Sequence, residues 1–151
     1  YKINIEDFAE AAAVPSAALL GVGRIGCLME GCCEGIGKYC SDAPWWTVHL
    51  HYDPAGFYRY PSQLFESLAS FGILLLLLER MARRIRGERS IAVAFPLFMT
   101  LYGLYRFVFD NFREQPAGAS GSGELIWLFA VVFGILWLVF SAMRLLRTRG
   151  R

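Results

Sequence analysis

Charge is what this sequence has least of. Only 19% of its 151 residues are Asp, Glu, Lys or Arg, and the net charge at neutral pH is +2. A nucleic-acid module needs a strongly basic face, so nucleic acid is excluded as a partner. A disordered chain and a coiled coil both need far more charge than this. Cysteine is also sparse. The four present, Cys27, Cys32, Cys33 and Cys40, are too few and too clustered for a secreted disulfide scaffold. No internal repeat and no low-complexity tract runs through the chain. It opens at Tyr1 without a Met, and no signal-peptide pattern precedes the first apolar run. The expectation is a piece of a longer protein or a trimmed one.

Apolar side chains are abundant instead. Hydrophobic residues make up 56% of the chain and aromatics 15%, and the mean hydropathy is +0.40. One class remains, a polytopic membrane protein in an all-α fold, a transmembrane helical bundle. Crossing a bilayer takes roughly 20 residues at about 1.5 Å of rise each. Four segments are near that length, at about 8–29, 61–82, 91–111 and 124–146. They form a single membrane domain. The first segment is weakly apolar and interrupted by Pro15, Gly21, Gly23 and Gly26. It reads as a broken helix lining a cavity.

Arginine placement sets the orientation. Arg80, Arg83, Arg84, Arg86 and Arg89 follow the second segment, and Arg144, Arg147, Arg149 and Arg151 follow the fourth. The positive-inside rule puts both groups, and with them the C-terminus, in the cytoplasm. The segment 34–60 then lies outside as a small head. Its Trp45, Trp46, Tyr52, Phe57, Tyr58 and Tyr60 suit the headgroup layer or a packed cap. Thr47–Tyr52 alternates like a short strand, which puts His49 and His51 on one face.

A charged side chain at membrane depth is costly, so each one is a candidate site. Tyr102, Arg106, Asp110 and Arg113 fall on one helical stripe in the third segment. Arg106 and Asp110 can pair as structure, and the pair leaves Arg106 spare donors suited to a phosphate held by two bonds. Near the start of the second segment, Gln63, Glu66 and Ser70 share a face. Glu66 there reads either as a site residue or as a cap on the helix dipole. Arg24 sits among Gly21, Gly23, Gly26, Gly31 and Gly35. Backbone amides freed by glycines beside an Arg make an anion-binding nest. No Gly-Lys-Ser/Thr follows, so this is not a Walker loop.

Three pieces in order carry a resemblance: Gly23-Arg24-Ile25-Gly26 with Gly31 and Gly35; Tyr60-Pro61-Ser62-Gln63-Leu64-Phe65-Glu66; and Tyr102-Gly103 with Arg106-Phe107, Asp110, Arg113-Glu114 and Pro116. Together they resemble the bacterial prolipoprotein diacylglyceryl transferases, over nearly the whole chain from about Asp7. The resemblance implies a multi-pass enzyme of the bacterial cytoplasmic (inner) membrane. Such an enzyme moves the diacylglyceryl group of phosphatidylglycerol onto the lipobox Cys thiol of a prolipoprotein signal peptide. A thioether forms and glycerol phosphate leaves, without a cofactor. It also implies a seven-span fold, of which this chain supplies the last four helices. Arg24 and Arg106 take the positions of catalytic arginines near the lipid phosphate. Gly23, Gly26, Gly35, Ser62, Gln63, Glu66, Tyr102 and Asp110 take motif positions around the substrate.

The chain departs from the family pattern at four places. Cys27 stands where an Asn is usual, Cys32 and Asp110 where a Glu is usual, and Tyr60 where a His is usual. No general base is evident. The family's His-Gly-Gly segment and an important Tyr lie in an N-terminal half that these residues do not match.

Cys27-x4-Cys32 and the adjacent Cys32-Cys33 fit the paired spacing of a zinc site poorly, so no metal is expected. Small buried thiols are the simplest reading, and a disulfide stays open if the segment faces an oxidising space. Three other readings compete with the transferase: a catalytically silent lipid-binding relative, a redox or metal protein built on the cysteines, and a structural subunit whose charges only pair.

Overall fold

The computed structural model describes residues 5–39, 44–49, 54–86, 93–110, 113 and 122–149. Among them run helix α1 (Ile5–Glu30), strands β1 (Gly37–Tyr39) and β2 (Phe57–Arg59), and helices α2 (Ser62–Ile85), α3 (Ala94–Phe109) and α4 (Ser122–Arg149). The packing is chiefly α1 on α2 and α3 on α4, with α2 and α1 also touching α3.

The break expected in the first segment is absent. α1 runs unbroken for 26 residues through Pro15, Gly21, Gly23 and Gly26. A proline removes one intrahelical bond, and α1 tolerates that loss because alanine, the best helix former, surrounds it. Glu6 and Asp7 in the first turn favour the helix dipole. Ala13, Ala17 and Gly21, four apart, are its buried residues. Such a strip of small side chains lets two helix backbones come close. The Ser67 hydroxyl of α2 uses that closeness and donates to the Gly21 carbonyl at 3.0 Å.

α2 begins just after Pro61, and Phe65 N–H closes its first turn on the Pro61 carbonyl at 3.1 Å. Ser62, Gln63, Glu66, Ser67, Ser70, Ile73 and Leu77 are buried at helical spacing. The stripe is polar in the first turns of α2 and apolar beyond them. Ile73 and Leu77 join Ala13, Ala17, Ala94 and Phe98 in one core cluster.

α3 is shorter than the expected third segment, 16 residues from Ala94. Residues 91, 92 and 111 lie outside the described residues. Its Pro96 falls in the first turn, where an N–H has no helical partner to lose. No side chain of its own caps that end. Glu10 of α1 does so from a distance, accepting Phe95 N–H on Oε1 at 3.1 Å. α4 is longer than expected, from Ser122 to Arg149. At Gly134 a Cβ would collide with Thr100 and with the Pro96 carbonyl, 2.8 Å away. α3 and α4 therefore touch backbone to backbone there.

Among the described residues, two helices are long and apolar enough to cross a membrane, Ile5–Glu30 and Leu125–Arg144, and α3 is apolar but shorter. Their outer faces carry Leu19, Val22, Phe129 and Leu136, all exposed on the isolated chain.

Between α1 and α2 stands a two-stranded antiparallel sheet pairing Gly37 with Arg59, Lys38 with Tyr58 and Tyr39 with Phe57. Val48 adds a single bridge to Arg59. The strand expected over Thr47–Tyr52 reduces to that bridge where it is described; residues 50–52, His51 included, and Cys40 lie outside the described residues. Thr47 closes a turn on the Pro44 carbonyl, and His49 Nδ1 lies 2.7 Å from the Phe57 carbonyl.

Candidate functional site

Among the described residues, the ends of the four helices nearest the β1–β2 sheet converge. α1 contributes Arg24, α2 contributes Glu66, α3 contributes Arg106 and Asp110, and α4 contributes Trp127. Glu66 is the centre and is only 4% exposed. Its Oε1 accepts Arg106 Nη1 at 2.9 Å. Its Oε2 lies 2.5 Å from Arg24 Nε. That second contact is an ion pair off the hydrogen-bond direction, and Oε2 has no hydrogen bond among the described residues. Arg106 reaches on to Asp110 with Nη2 at 3.0 Å. Tyr102 lies one turn before Arg106 on α3, near Arg24. Two guanidinium groups and two carboxylates thus balance one another.

This placement decides two sequence readings. Arg106 and Asp110 do pair, and Arg106 is shared with Glu66 rather than given wholly to Asp110. Glu66 faces two arginines across the bundle, so it is more than a helix cap. A buried charge without partners costs several kcal/mol, and such a network is stable only because each member is matched. The Arg106 Nε–H and the Tyr105 hydroxyl are buried in the same region without hydrogen-bond partners among the described residues.

Sequence reasoning missed Trp127. Its indole N–H donates to Asp110 Oδ2 at 2.7 Å. Its ring lies under the Arg106 guanidinium, 4.9 Å from centroid to Cζ. One side chain thereby orients both members of the α3 pair. The fourth segment reads as uniformly lipid-like, so only an indole opposite a charged stripe could have signalled this.

The glycine nest around Arg24 is a correction. Gly21, Gly23 and Gly26 lie inside the helix, where their amides are spent on backbone bonds. Among the described residues, nothing lies within 4 Å of where a Cβ on Gly23 or Gly26 would stand. The positive φ angles come later, at Gly31 (65°) and Cys33 (62°). Gly31 ends α1 in a Schellman turn, with Cys32 N–H donating to the Cys27 carbonyl at 3.0 Å. Gly35 is used for close approach: a Cβ would strike the Tyr60 carbonyl, and its backbone bridges Arg113.

Ser62 and Gln63 tether this turn to α2. The Ser62 hydroxyl donates to the Cys33 carbonyl at 3.2 Å, and Gln63 Nε2 donates to the Cys32 carbonyl at 2.9 Å. The cysteines are not the small buried thiols expected. Cys32 is exposed, Cys27 and Cys33 are half-buried, and all three are free. Hydrogen bonding to Cys27, then burial and Cys33, push the Cys32 thiol up to about 11. Burial also raises Cys33. The charge of Arg113, hydrogen bonds with Cys32 and Cys27, and the charge of Arg24 outweigh burial and hold that thiol below its usual range.

The family described as prolipoprotein diacylglyceryl transferase matches residues 1–142. A phosphatidylglycerol–prolipoprotein diacylglyceryl transferase of Geobacter sulfurreducens is 32% identical over 149 residues, 95% of this chain and 54% of that protein. One from Clostridium perfringens is 32% identical over 139 residues, 89% of this chain and 52% of the relative. One from Photobacterium profundum is 33% identical over 128 residues, 81% of this chain and 45% of the relative. The chain spans about half the length of these curated relatives. No solved structure matches it. A match that covers nearly the whole chain, with relatives of one name, places this chain in the prolipoprotein diacylglyceryl transferase family.

Proposed function

We propose that this chain forms the phosphate-handling part of an enzyme that transfers diacylglyceryl from phosphatidylglycerol to the lipobox Cys of a prolipoprotein. The observation that carries the reading is the Glu66 bridge. It joins Arg24 and Arg106, 82 positions apart in the sequence, in one buried cluster.

The chemistry follows from charge. The prolipoprotein thiolate attacks the glyceryl carbon that bears the phosphate. A C–S bond forms, the C–O bond breaks, and glycerol phosphate departs with the electron pair. Negative charge grows on the leaving phosphate. Guanidinium groups held in a low-dielectric site stabilise that charge without reorganising. Arg106 has a donor to spare, its Nε–H. Arginine's fork suits a phosphate held by two bonds. Glu66 and Asp110 keep both cations in place before substrate enters. Trp127 positions Asp110 and Arg106. The proton lost by the attacking thiol goes to a base outside the residues named here.

The same reading puts the cluster near the outer surface of a bacterial inner membrane. α1, α2, α3 and α4 are the four spans, and the β1–β2 segment is the outer head. Arg80, Arg83 and Arg86 stand at the far end of α2, and Arg144 and Arg147 at the far end of α4. The positive-inside rule supports a cytoplasmic location for that end and for the C-terminus. A bacterium depleted of its own transferase tests the proposal. Expression of the protein restores lipoprotein maturation. Failure to restore it, with the protein present in the membrane, contradicts the assignment.

A further inference from the structure

The cysteines stand apart from the Glu66 cluster. Cys27, Cys32 and Cys33 bring their sulfur atoms within 4.8 Å of one another. Their spacing alone does not do this. The Schellman turn at Gly31 reverses the chain at the end of α1. Cys33, at φ 62°, then adopts a left-handed conformation rare for a side-chain-bearing residue. The two reversals return residues 32 and 33 to the last turn of the helix, where Cys27 waits. The Gln63 and Ser62 side chains pin the two carbonyls from α2. Secondary-structure bonds and tethers thus hold three thiols together from both sides.

Nothing in the proposed transfer uses these thiols. We propose that Cys27, Cys32 and Cys33 form a three-thiolate site for a soft d10 cation, Cu(I) or Zn(II). An all-sulfur donor set selects this class of ion over Mg, Ca or Mn. Metal–sulfur bonds of about 2.3 Å place the sulfurs roughly 4 Å apart, so small side-chain rotations suffice. Binding exchanges three thiol protons for one cation. The negative end of α1 favours that cation. Cys32 is exposed and gives the ion an entry path with one position left for solvent.

The test uses the chain with Cys40→Ser, purified in detergent, reduced and kept free of oxygen. Cu(I) is titrated against bathocuproine disulfonate, and Zn(II) against a chromogenic chelator. The expected result is one metal per chain, thiolate-to-metal absorption in the ultraviolet, and a sulfur-dominated shell by X-ray absorption. Cu(I) uptake alone identifies a trigonal site, and Zn(II) uptake a four-coordinate site completed by water. Each of Cys27→Ser, Cys32→Ser and Cys33→Ser weakens binding at least tenfold, and the triple variant abolishes it with its helical circular dichroism intact. Three results overturn the proposal: no metal that survives the competing chelator, full uptake by the triple variant, or re-formation of a disulfide among the three with no uptake after reduction.

Discussion

Glu66 and Arg106 meet across 40 positions of sequence, with Nη1 donating to Oε1 at 2.9 Å inside the bundle. Glu66 holds Arg24 with its other oxygen. Removing its charge leaves two arginines with one buried carboxylate between them. Breaking a buried pair this way costs about 3–5 kcal/mol. Glu66→Gln therefore lowers the thermal midpoint in detergent by several degrees or more. Glu66→Asp, which keeps the charge, loses less. Equal midpoints for Gln and wild type would show that the bridge does not stabilise the fold.

Trp127 separates orientation from stability. Trp127→Phe keeps a ring under Arg106 and removes the donor to Asp110. A hydrogen bond to a charged group is worth about 1.5–3 kcal/mol, so transfer activity falls by roughly tenfold to a hundredfold. Trp127→Leu removes the ring as well and falls further. Product formation per folded protein is the measurement. Unchanged turnover in both variants would dismiss the indole as a positioning group.

The glycines divide by environment. Gly23 and Gly26 face open space inside a helix, where glycine is about 0.5–1 kcal/mol worse than alanine. Gly23→Ala and Gly26→Ala raise stability slightly. Gly134→Val forces a side chain into Thr100 and the Pro96 carbonyl, and overpacking costs about 1–3 kcal/mol. Unfolding midpoints of the three variants check the contrast. If the two alanine variants keep their stability but lose transfer, the bare strip beside Arg24 is where substrate lies.

Adjacent thiols differ in acidity. Arg113 and Arg24 favour the Cys33 thiolate, while Cys32 is held protonated up to about 11. A thiolate reacts and a thiol does not, so alkylation of Cys33 becomes fast at a lower pH than that of Cys32. Peptide mapping after brief alkylation across a pH series reads both. Arg113→Ala moves the Cys33 profile up in pH and narrows the gap. Superimposable profiles in the wild-type chain would refute the assignment.

Much of the site was legible in the sequence because charge at membrane depth is rare and costly. Arg24, Glu66, Arg106 and Asp110 stand out on that ground alone, and helical spacing already puts Arg106 over Asp110. Which carboxylate serves which arginine was not legible. The Glu66 bridge depends on how α1 and α3 dock on α2, which one-dimensional spacing does not encode. The same holds for Trp127, placed by the close contact of α3 and α4 at Gly134. Helix positions followed from apolar runs, while the first segment misled. Pro15 and its glycines are strong local breakers, yet the Ala-rich strip that packs on α2 outweighs them. The cysteines read as a cluster in the sequence, but their close approach in space was not legible, for a related reason. Two left-handed residues fold back a segment that reads as a plain loop.

The central claim is that Arg24 and Arg106 serve the departing phosphate during transfer to a thiol. Mass spectrometry of a lipobox peptide tests it most directly. The peptide is incubated with phosphatidylglycerol and membranes carrying the protein, in a background stripped of its own transferase. The account predicts a diacylglyceryl adduct on the peptide Cys, with glycerol phosphate released in equal amount. Arg24→Ala and Arg106→Ala abolish both products while the protein remains folded in the membrane. An unmodified peptide in the presence of folded, lipid-loaded wild-type protein would contradict the account and leave a lipid-binding relative without the chemistry. Undiminished adduct in the two arginine variants would contradict it as well.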